Sequence, residues 1–284
     1  MKNYSIFSLI AIMTLLWSCT DEAATNAVEK KTSAAVEVDT TDVFGSDEYE
    51  FVLPRPFALA SSFQEAGMTY DASRMNPVEN VDNYKTKGAQ LINFGVYSTD
   101  LIYNILNDQP QQTMKYFNAV RLLADNFGMG SIFTEDDLAF KIEENISDRR
   151  ALEDLLVDVH ELSQEYLEDN DMRYLSAIQF SGAWIEGMYL VSFDIVNQDS
   201  KKVGFKLTDQ MTLLSNTIKG LEAYPSRDKD INKVLNELKS LQEMYDNFES
   251  VKKTGGKGFP DLTDEDIKQI AEKIQEIRKL VIEL

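Results

Sequence analysis

The spacing of apolar residues is the feature that most limits how this chain can fold. From about Pro54 onward, apolar residues recur every three or four positions rather than at every second one. The clearest stripe follows Thr263 and consists of Ile267, Ile270, Ala271, Ile274, Ile277 and Val281. This spacing puts one apolar face on an α-helix, whereas a half-buried strand requires alternation. The sequence therefore predicts an all-α protein, and the final stripe predicts a helix that packs on the rest of it or forms an oligomer contact.

Capping and turn residues divide the chain into a bundle of about eight helices. Pro110 suits a first helical turn and Gly128 suits a helix end. Thr134 precedes three acidic residues, which favour the first turn of a helix. The expected helices cover 77–107, 110–127, 135–146, 148–167, 171–197, a segment around Thr208 that ends before Tyr224, 228–251, and the segment after Thr263. No regular period of about 34–47 residues is present, so a closed bundle is favoured over a helical repeat array.

The two longest predicted helices resemble each other. At a constant offset, the first matches the second in the pairs Ile92 and Ile178, Phe94 and Phe180, Asp100 and Glu186, and Tyr103 and Tyr189. Two related helical halves would produce this pattern, and so would chance similarity between two buried helices. If the repeat is real, the two long helices should pack against each other at the centre, with the halves related by pseudo-symmetry.

Two acidic residues interrupt these apolar helices. Glu186 lies between Ile185 and Gly187, and Asp100 lies on a polar stripe of its helix. A buried carboxylate must be paired, hydrogen-bonded or protonated. If the helices face each other, the two acids should come close among aromatic side chains. The candidate ligand-binding site or buried polar network consists of Asp100, Glu186, Asn93, Tyr97, Tyr103, Trp184 and Tyr189.

Three interpretations of this cluster remain open. In the first, the cluster is a structural network with an arginine, for which Arg121 and Arg173 are the expected partners. In the second, it binds a cation or a small ligand through carboxylate oxygens and aromatic faces. In the third, it acts as an acid/base pair. The only histidine, His160, is expected at a rim, and a di-iron bundle would need two Glu-x-x-His motifs. The sequence identifies no catalytic residue, metal site or cofactor.

The N-terminus has the pattern of an export signal. Lys2 precedes an apolar run from Ile6 to Trp17, and Ser18 precedes Cys19, the only cysteine. This run is shorter than the roughly 20 apolar residues that span a bilayer. The pattern resembles a bacterial lipoprotein signal peptide. The resemblance implies that residues 1–18 are removed and that Cys19 is lipidated, so no thiol would remain for a disulfide.

Residues 19–50 differ in composition from the rest of the chain. They are acidic and poor in aromatic residues, which predicts a disordered tether ahead of an all-α domain at 51–284. The formal net charge of the whole chain is −20, which argues against a nucleic-acid partner. Acids directly after Cys19 resemble the export signal of surface-exposed Bacteroidota lipoproteins. The expected location is the outer membrane, on its periplasmic or surface face.

Two segments extend this resemblance. Residues 95–101 (GVYSTDL) and 182–189 (GAWIEGMY), with the lipoprotein start, resemble a group of helical Bacteroidota lipoproteins of unknown function over about 50–250. The resemblance implies fold and location, and it carries over no catalytic residue. The leading expectation is non-enzymatic binding or scaffolding at the outer membrane, with a lipid anchor and a protein partner in the envelope. The alternatives are small-ligand or cation binding near Asp100 and Glu186, and a carboxylate-based enzyme. The sequence does not determine the oligomeric state.

Overall fold

The computed structural model describes residues 69–134, 138–196, 198, 200–224, 226–255 and 258–284. The proposed signal peptide, Cys19 and the tether lie outside these residues. The described part contains helices and no strand, so the expected all-α bundle is confirmed. Its helices are α1 Lys87–Leu106, α2 Pro110–Phe127, α3 Ser131–Thr134, α4 Leu138–Glu144, α5 Arg149–Asp169, α6 Leu175–Ile195, α7 Ser200–Ala223, α8 Lys229–Asn247, α9 Glu249–Lys252 and α10 Asp264–Ile282. Because α3 and α9 are single turns, eight longer helices remain.

Helices α1 and α6 form the centre of the bundle. In α1, 16 of 20 residues are buried, and in α6, 17 of 21 are buried. A helix that is apolar on all sides has to be surrounded by other elements. The two helices pack directly on each other, with α2 against α1 and α10 against α6. The expectation that the two long helices meet at the centre is therefore confirmed.

Two glycines allow the backbones of α1 and α6 to approach closely. A Cβ atom on Gly95 would lie 1.9 Å from the carbonyl oxygen of Gln179. A Cβ atom on Gly182 would lie 1.8 Å from the carbonyl oxygen of Ile92. Neither position has room for a side chain, which explains why these two helices tolerate glycine despite its low helix propensity.

The final helix packs on the bundle through its predicted stripe. Thr263 and Asp266 form a capping box: the Thr263 hydroxyl accepts from the Asp266 N–H, and the Asp266 carboxylate accepts from the Thr263 N–H. All six stripe residues of α10 are buried, and the helix contacts α6 and α8. Of the two readings of this stripe, the structure thus supports intramolecular packing.

Several predicted helix boundaries were wrong. The first long helix begins at Lys87 rather than at Pro77, because Thr86 caps it and 78–83 form a separate 3-10 helix. The second begins at Leu175, since Asp171 has a left-handed backbone with φ of 55°. The predicted helix over 228–251 breaks at Phe248, where the backbone is extended. Of the helix expected over 135–146, residues 135–137 are outside the described part, Thr134 ends α3, and α4 covers Leu138–Glu144.

Helix α5 is set apart from the other long helices by its low burial. Asp148 caps it as expected, accepting a hydrogen bond from the Ala151 N–H at 3.1 Å. Of its 21 residues, however, only Leu152 and Leu167 are buried. The remaining residues of its apolar stripe are half-buried, or exposed in the case of Leu162 at 40%. The apolar face of α5 is therefore only partly covered by the rest of the bundle.

Candidate functional site

The structure brings Asp100 of α1 and Glu186 of α6 together in the interior. Both side chains are completely buried, with 0% exposure, and they lie close enough for the charge of Glu186 to act on Asp100. The direct packing of α1 on α6 explains why the two acids meet. The predicted proximity of the two acids is therefore correct.

The arginine partner of this pair is Arg278 of α10. Its Nε donates to Glu186 Oε2 at 2.9 Å and its Nη2 donates to Glu186 Oε1 at 3.0 Å. Such a two-bond pairing is the strongest common form of an ion pair. Burial alone lowers the pKa of Arg278, but the charge and hydrogen bonds of Glu186, together with the nearby Asp100 and Tyr189, outweigh burial and raise the pKa overall. Arg278 therefore stays charged in the core.

The predicted partners, Arg121 and Arg173, were wrong. Arg173 pairs with the exposed Glu168 near the end of α5, and Arg121 lies half-buried on α2 with no ion pair to either buried acid. Arg278 carried a signal that could have identified it. It lies four residues after Ile274 and three before Val281, so helical periodicity places it on the buried face of α10. A lone arginine on such a stripe indicates a buried acid opposite it.

Asp100 differs from Glu186 because no arginine forms an ion pair with it within the described residues. Its Oδ2 accepts from the Asn76 backbone N–H at 3.0 Å, while Oδ1 has no hydrogen-bond partner within the described residues. Two carboxylates only accept hydrogen bonds, so the contact with Glu186 becomes a hydrogen bond once one of them is protonated. Burial raises the pKa of Asp100 well above its ordinary value, and the negative charge of Glu186 raises it further.

The predicted aromatic neighbours lie at different distances from this cluster. Tyr189 is the closest: the guanidinium carbon of Arg278 lies 4.3 Å from its ring centroid, a cation–π contact. Tyr97 is fully buried, and its hydroxyl donates to the Pro77 carbonyl at 2.8 Å. Burial raises the pKa of Tyr97, and the nearby Tyr84 and Asp100 add to that rise.

Three other residues of the predicted cluster make their hydrogen bonds away from the Asp100–Glu186 pair. Tyr103 donates to the Thr69 carbonyl at 2.6 Å, and burial raises its pKa to about 12. Trp184 donates from Nε1 to Gln210 at 3.1 Å, on the side of α7. Asn93 donates to the carbonyls of Ala89 and Val281, which ties α1 to the end of α10. These three side chains contribute to packing contacts between helices and do not reach the Asp100–Glu186 pair.

A segment that sequence reasoning did not include covers the acidic pair. We call residues 69–84 the strap. Its Arg74 carbonyl accepts from Arg278 at 3.0 Å, and its Asn76 carbonyl accepts from Tyr116 of α2 at 2.9 Å. Within the strap, Asn76 Nδ2 donates to the Tyr84 hydroxyl at 2.8 Å. The strap thereby supplies hydrogen bonds that the buried charges need, and it separates them from solvent.

A second strap contact closes the other side of the cluster. Arg74 Nη1 donates to Asp194 of α6 at 2.7 Å, and the Arg74 guanidinium lies 4.7 Å from the ring centroid of Phe193. Burial raises the pKa of Asp194, but the hydrogen bonds from Arg74 and Thr69 outweigh it, so the pKa is lowered overall. The Asp100–Glu186–Arg278 cluster is therefore enclosed, and it is tied by hydrogen bonds to the strap and to α10, as expected of a buried polar network.

The cavity of the bundle lies at a different place, between α5 and the helices α1, α2 and α6. Its volume is about 130 Å³. The buried walls come from the central helices, and the outer wall is the half-buried stripe of α5. Its apolar lining includes Leu101, Ile105, Phe117, Val120, Leu155 and Val159. Neither Asp100 nor Glu186 lines it, so the cavity predicted between these acids is not where the open space occurs.

The cavity has few polar groups and no acid, lysine or arginine among the described residues that line it. His160 and Gln164 line it from the half-buried α5, which agrees with the expected rim position of the histidine. On the buried side, Ser176 is 5% exposed, and its Oγ has no hydrogen-bond partner in the described part of the chain. An unpaired buried hydroxyl is unusual in a folded protein.

Two further observations complete the description of possible sites. Within the described ranges, no group of three or more His, Cys, Asp or Glu side chains is arranged to hold a metal ion. In the same ranges, no helix combines the length and apolarity needed to cross a bilayer. Searches for similar proteins found no matching family model, curated protein or solved structure.

Proposed function

We propose that this chain is a lipid-anchored protein of the cell envelope that binds a small apolar molecule without transforming it. The observation that carries the binding role is the cavity of about 130 Å³ beneath α5. Ligand sites are typically concave and apolar with a few polar groups. A cavity of about 150 Å³ with a Leu, Ile and Phe lining binds benzene in another protein. The space beneath α5 has similar size and chemistry.

The state of α5 supports this role. Its stripe residues Leu155, Leu156 and Val159 are half-buried, so they leave apolar area in contact with solvent or empty space. Covering that area is favourable by about 25 cal/mol per Å². A bound apolar molecule would cover this area of α5 together with the facing side chains of α1 and α6 that line the cavity.

The buried acids are a poor alternative site. Both oxygens of Glu186 accept from Arg278, and Oδ2 of Asp100 accepts from the Asn76 N–H. A substrate or cation would have to displace a buried arginine and the strap. A carboxylate-based enzyme would need the same acids open to solvent, and both are 0% exposed. A non-enzymatic role therefore fits this cluster better than catalysis.

The anchor is proposed from the sequence alone. The run that ends in Ser18 and Cys19 has the length and charge of a lipoprotein signal, and the acidic residues 19–50 suit a tether at the outer membrane. Replacing Cys19 with Ala should move the protein from the membrane fraction to the soluble fraction. Retention of the variant in membranes would contradict the anchor, and it would leave the binding role to be judged by the next experiment.

Toluene binding tests the site. We expect toluene to bind the purified protein saturably in NMR titrations and to shift the signals of residues that line the cavity. Val159→Trp should fill the cavity from α5 and weaken binding at least tenfold. Leu162→Trp is the matched control, because Leu162 lies on the same helix, is 40% exposed and does not line the cavity. Absence of saturable binding, or equal binding by both variants, would contradict the proposal.

A further inference from the structure

Charge limits what the cavity can accept. Among the described residues of its lining, His160 is the one titratable group, and it lies on the half-buried outer wall. A charged ligand loses its hydration on entering such a space and needs an opposite charge to compensate. The described part of the lining offers no carboxylate for a cation and no lysine or arginine for an anion. The formal net charge of −20 on the chain repels anions further.

One polar group on the buried side of the cavity is placed to orient a bound ligand. Ser176 lies in the first turn of α6, is 95% buried and lines the cavity, yet its Oγ makes no hydrogen bond within the described residues. Buried serines elsewhere on the same helix are satisfied: Ser181 donates to the Ile178 carbonyl at 2.6 Å, and Ser192 donates to the Tyr189 carbonyl at 2.7 Å. Ser176 therefore has a donor and acceptor available that a ligand could satisfy.

We propose that the cavity selects an uncharged, ring-sized apolar molecule that carries one hydroxyl or carbonyl group. This inference rests on the proposed binding role. The apolar body contacts side chains such as Leu101, Phe117 and Leu155, and the polar group exchanges a hydrogen bond with Ser176 Oγ. The volume of about 130 Å³ limits the buried part to about one aromatic ring.

A matched set of four probes tests whether the cavity prefers uncharged ligands. Toluene, benzyl alcohol, benzoate and benzylammonium share one ring and differ in their substituent. We expect the two neutral probes to bind at least tenfold more tightly than the two ions, as measured by NMR titration of the purified protein at pH 7. Benzoate or benzylammonium binding as tightly as benzyl alcohol would overturn the inference while leaving the binding role intact. Failure of all four probes to bind would instead overturn the proposed function and this inference together.

Ser176→Ala tests the hydrogen bond. We expect the variant to bind benzyl alcohol about fivefold more weakly and toluene with unchanged affinity, because toluene makes no hydrogen bond. Ser181→Ala is the matched control, as Ser181 is a buried serine of α6 that does not line the cavity. It should change the affinity for neither probe. Equal weakening of both probes by Ser176→Ala, or no change in benzyl alcohol binding, would overturn the role of Ser176.

Discussion

Arg278 holds Glu186 in two parallel hydrogen bonds of 2.9 and 3.0 Å, across 92 residues of sequence. The contact ties α10 to the central helix α6 inside the core. A buried ion pair adds little net stability compared with apolar residues, but the loss of one partner is strongly destabilising. We infer that the pair determines how α10 docks on α6, and that the strap completes its hydrogen bonding through Arg74.

The first prediction concerns the loss of this arginine. Arg278→Met should lower the free energy of unfolding by about 3–5 kcal/mol, because Glu186 would remain buried without its partner. Lys279→Met is the control: Lys279 is the next residue on α10, it is exposed, and its replacement should cost less than about 1 kcal/mol. Urea unfolding followed by circular dichroism measures both. The double variant Glu186→Gln/Arg278→Met should recover part of the loss, and equal losses in the two single variants would contradict the account.

The second prediction concerns pH. The pKa of Asp100 is raised in the folded protein, whereas in the unfolded chain it returns to about 3.9. Below that value both states hold the proton, and the contribution of Asp100 to stability is fully present. As the pH rises, the unfolded chain releases the proton first, so this contribution is lost progressively up to the folded pKa.

Asp100→Asn isolates this effect. The amide can donate to Glu186 and accept from the Asn76 N–H, but it does not titrate. The free energy of unfolding of the variant, relative to wild type, should therefore increase from pH 4 to pH 7. Asp158→Asn, at an exposed position on α5, should give a curve parallel to wild type. Parallel curves for both variants would show that Asp100 does not hold its proton in the folded state.

The third prediction uses the helix glycines. An Ala in place of a helical Gly ordinarily stabilises by about 0.5–1 kcal/mol. At Gly182 the added Cβ would lie 1.8 Å from the Ile92 carbonyl oxygen, so Gly182→Ala should destabilise by about 1–3 kcal/mol or more. At Gly204 of α7 the added Cβ would lie 3.6 Å from Leu262, an ordinary contact, so Gly204→Ala should stabilise. Thermal unfolding measures both, and effects of the same sign would refute the close packing of α1 and α6.

The fourth prediction concerns the dynamics of α5. Only two of its residues are buried, so its amide protons should exchange with solvent faster than those of α8, a helix of similar length with seven buried residues. Added toluene should slow exchange in α5 and leave α8 unchanged. Hydrogen-exchange mass spectrometry resolves both helices. Equal protection of α5 and α8 without ligand would mean that α5 is as firmly packed as the rest.

The central helices and the acidic pair could be predicted from the sequence because they depend on local rules. A helix that is apolar on all sides must be buried, and an acid such as Glu186 within it must find a partner. The identity of that partner depends on how distant segments pack, and Arg278 lies on the last helix. Helical periodicity nevertheless predicts that Arg278 lies on the buried stripe of α10.

The cavity and the strap could not be predicted in the same way. An amphipathic stripe such as that of α5 predicts which face turns inward, but it does not predict how completely that face is covered. The strap has little regular structure, since it consists of turns and two 3-10 helices at Ala72–Arg74 and Val78–Asn83. Its role depends on single hydrogen bonds from Asn76 and Arg74, which no sequence periodicity indicates.

A crystal structure of the protein under xenon pressure would show directly whether the gap beneath α5 accepts a ligand. Xenon occupies apolar cavities of this size. We expect xenon density between α5 and the central helices, bordered by Leu101, Phe117 and Val159, and none beside Glu186. A structure in which α5 packs down on α1 and leaves no xenon-binding space would contradict the claim that this gap is a ligand site.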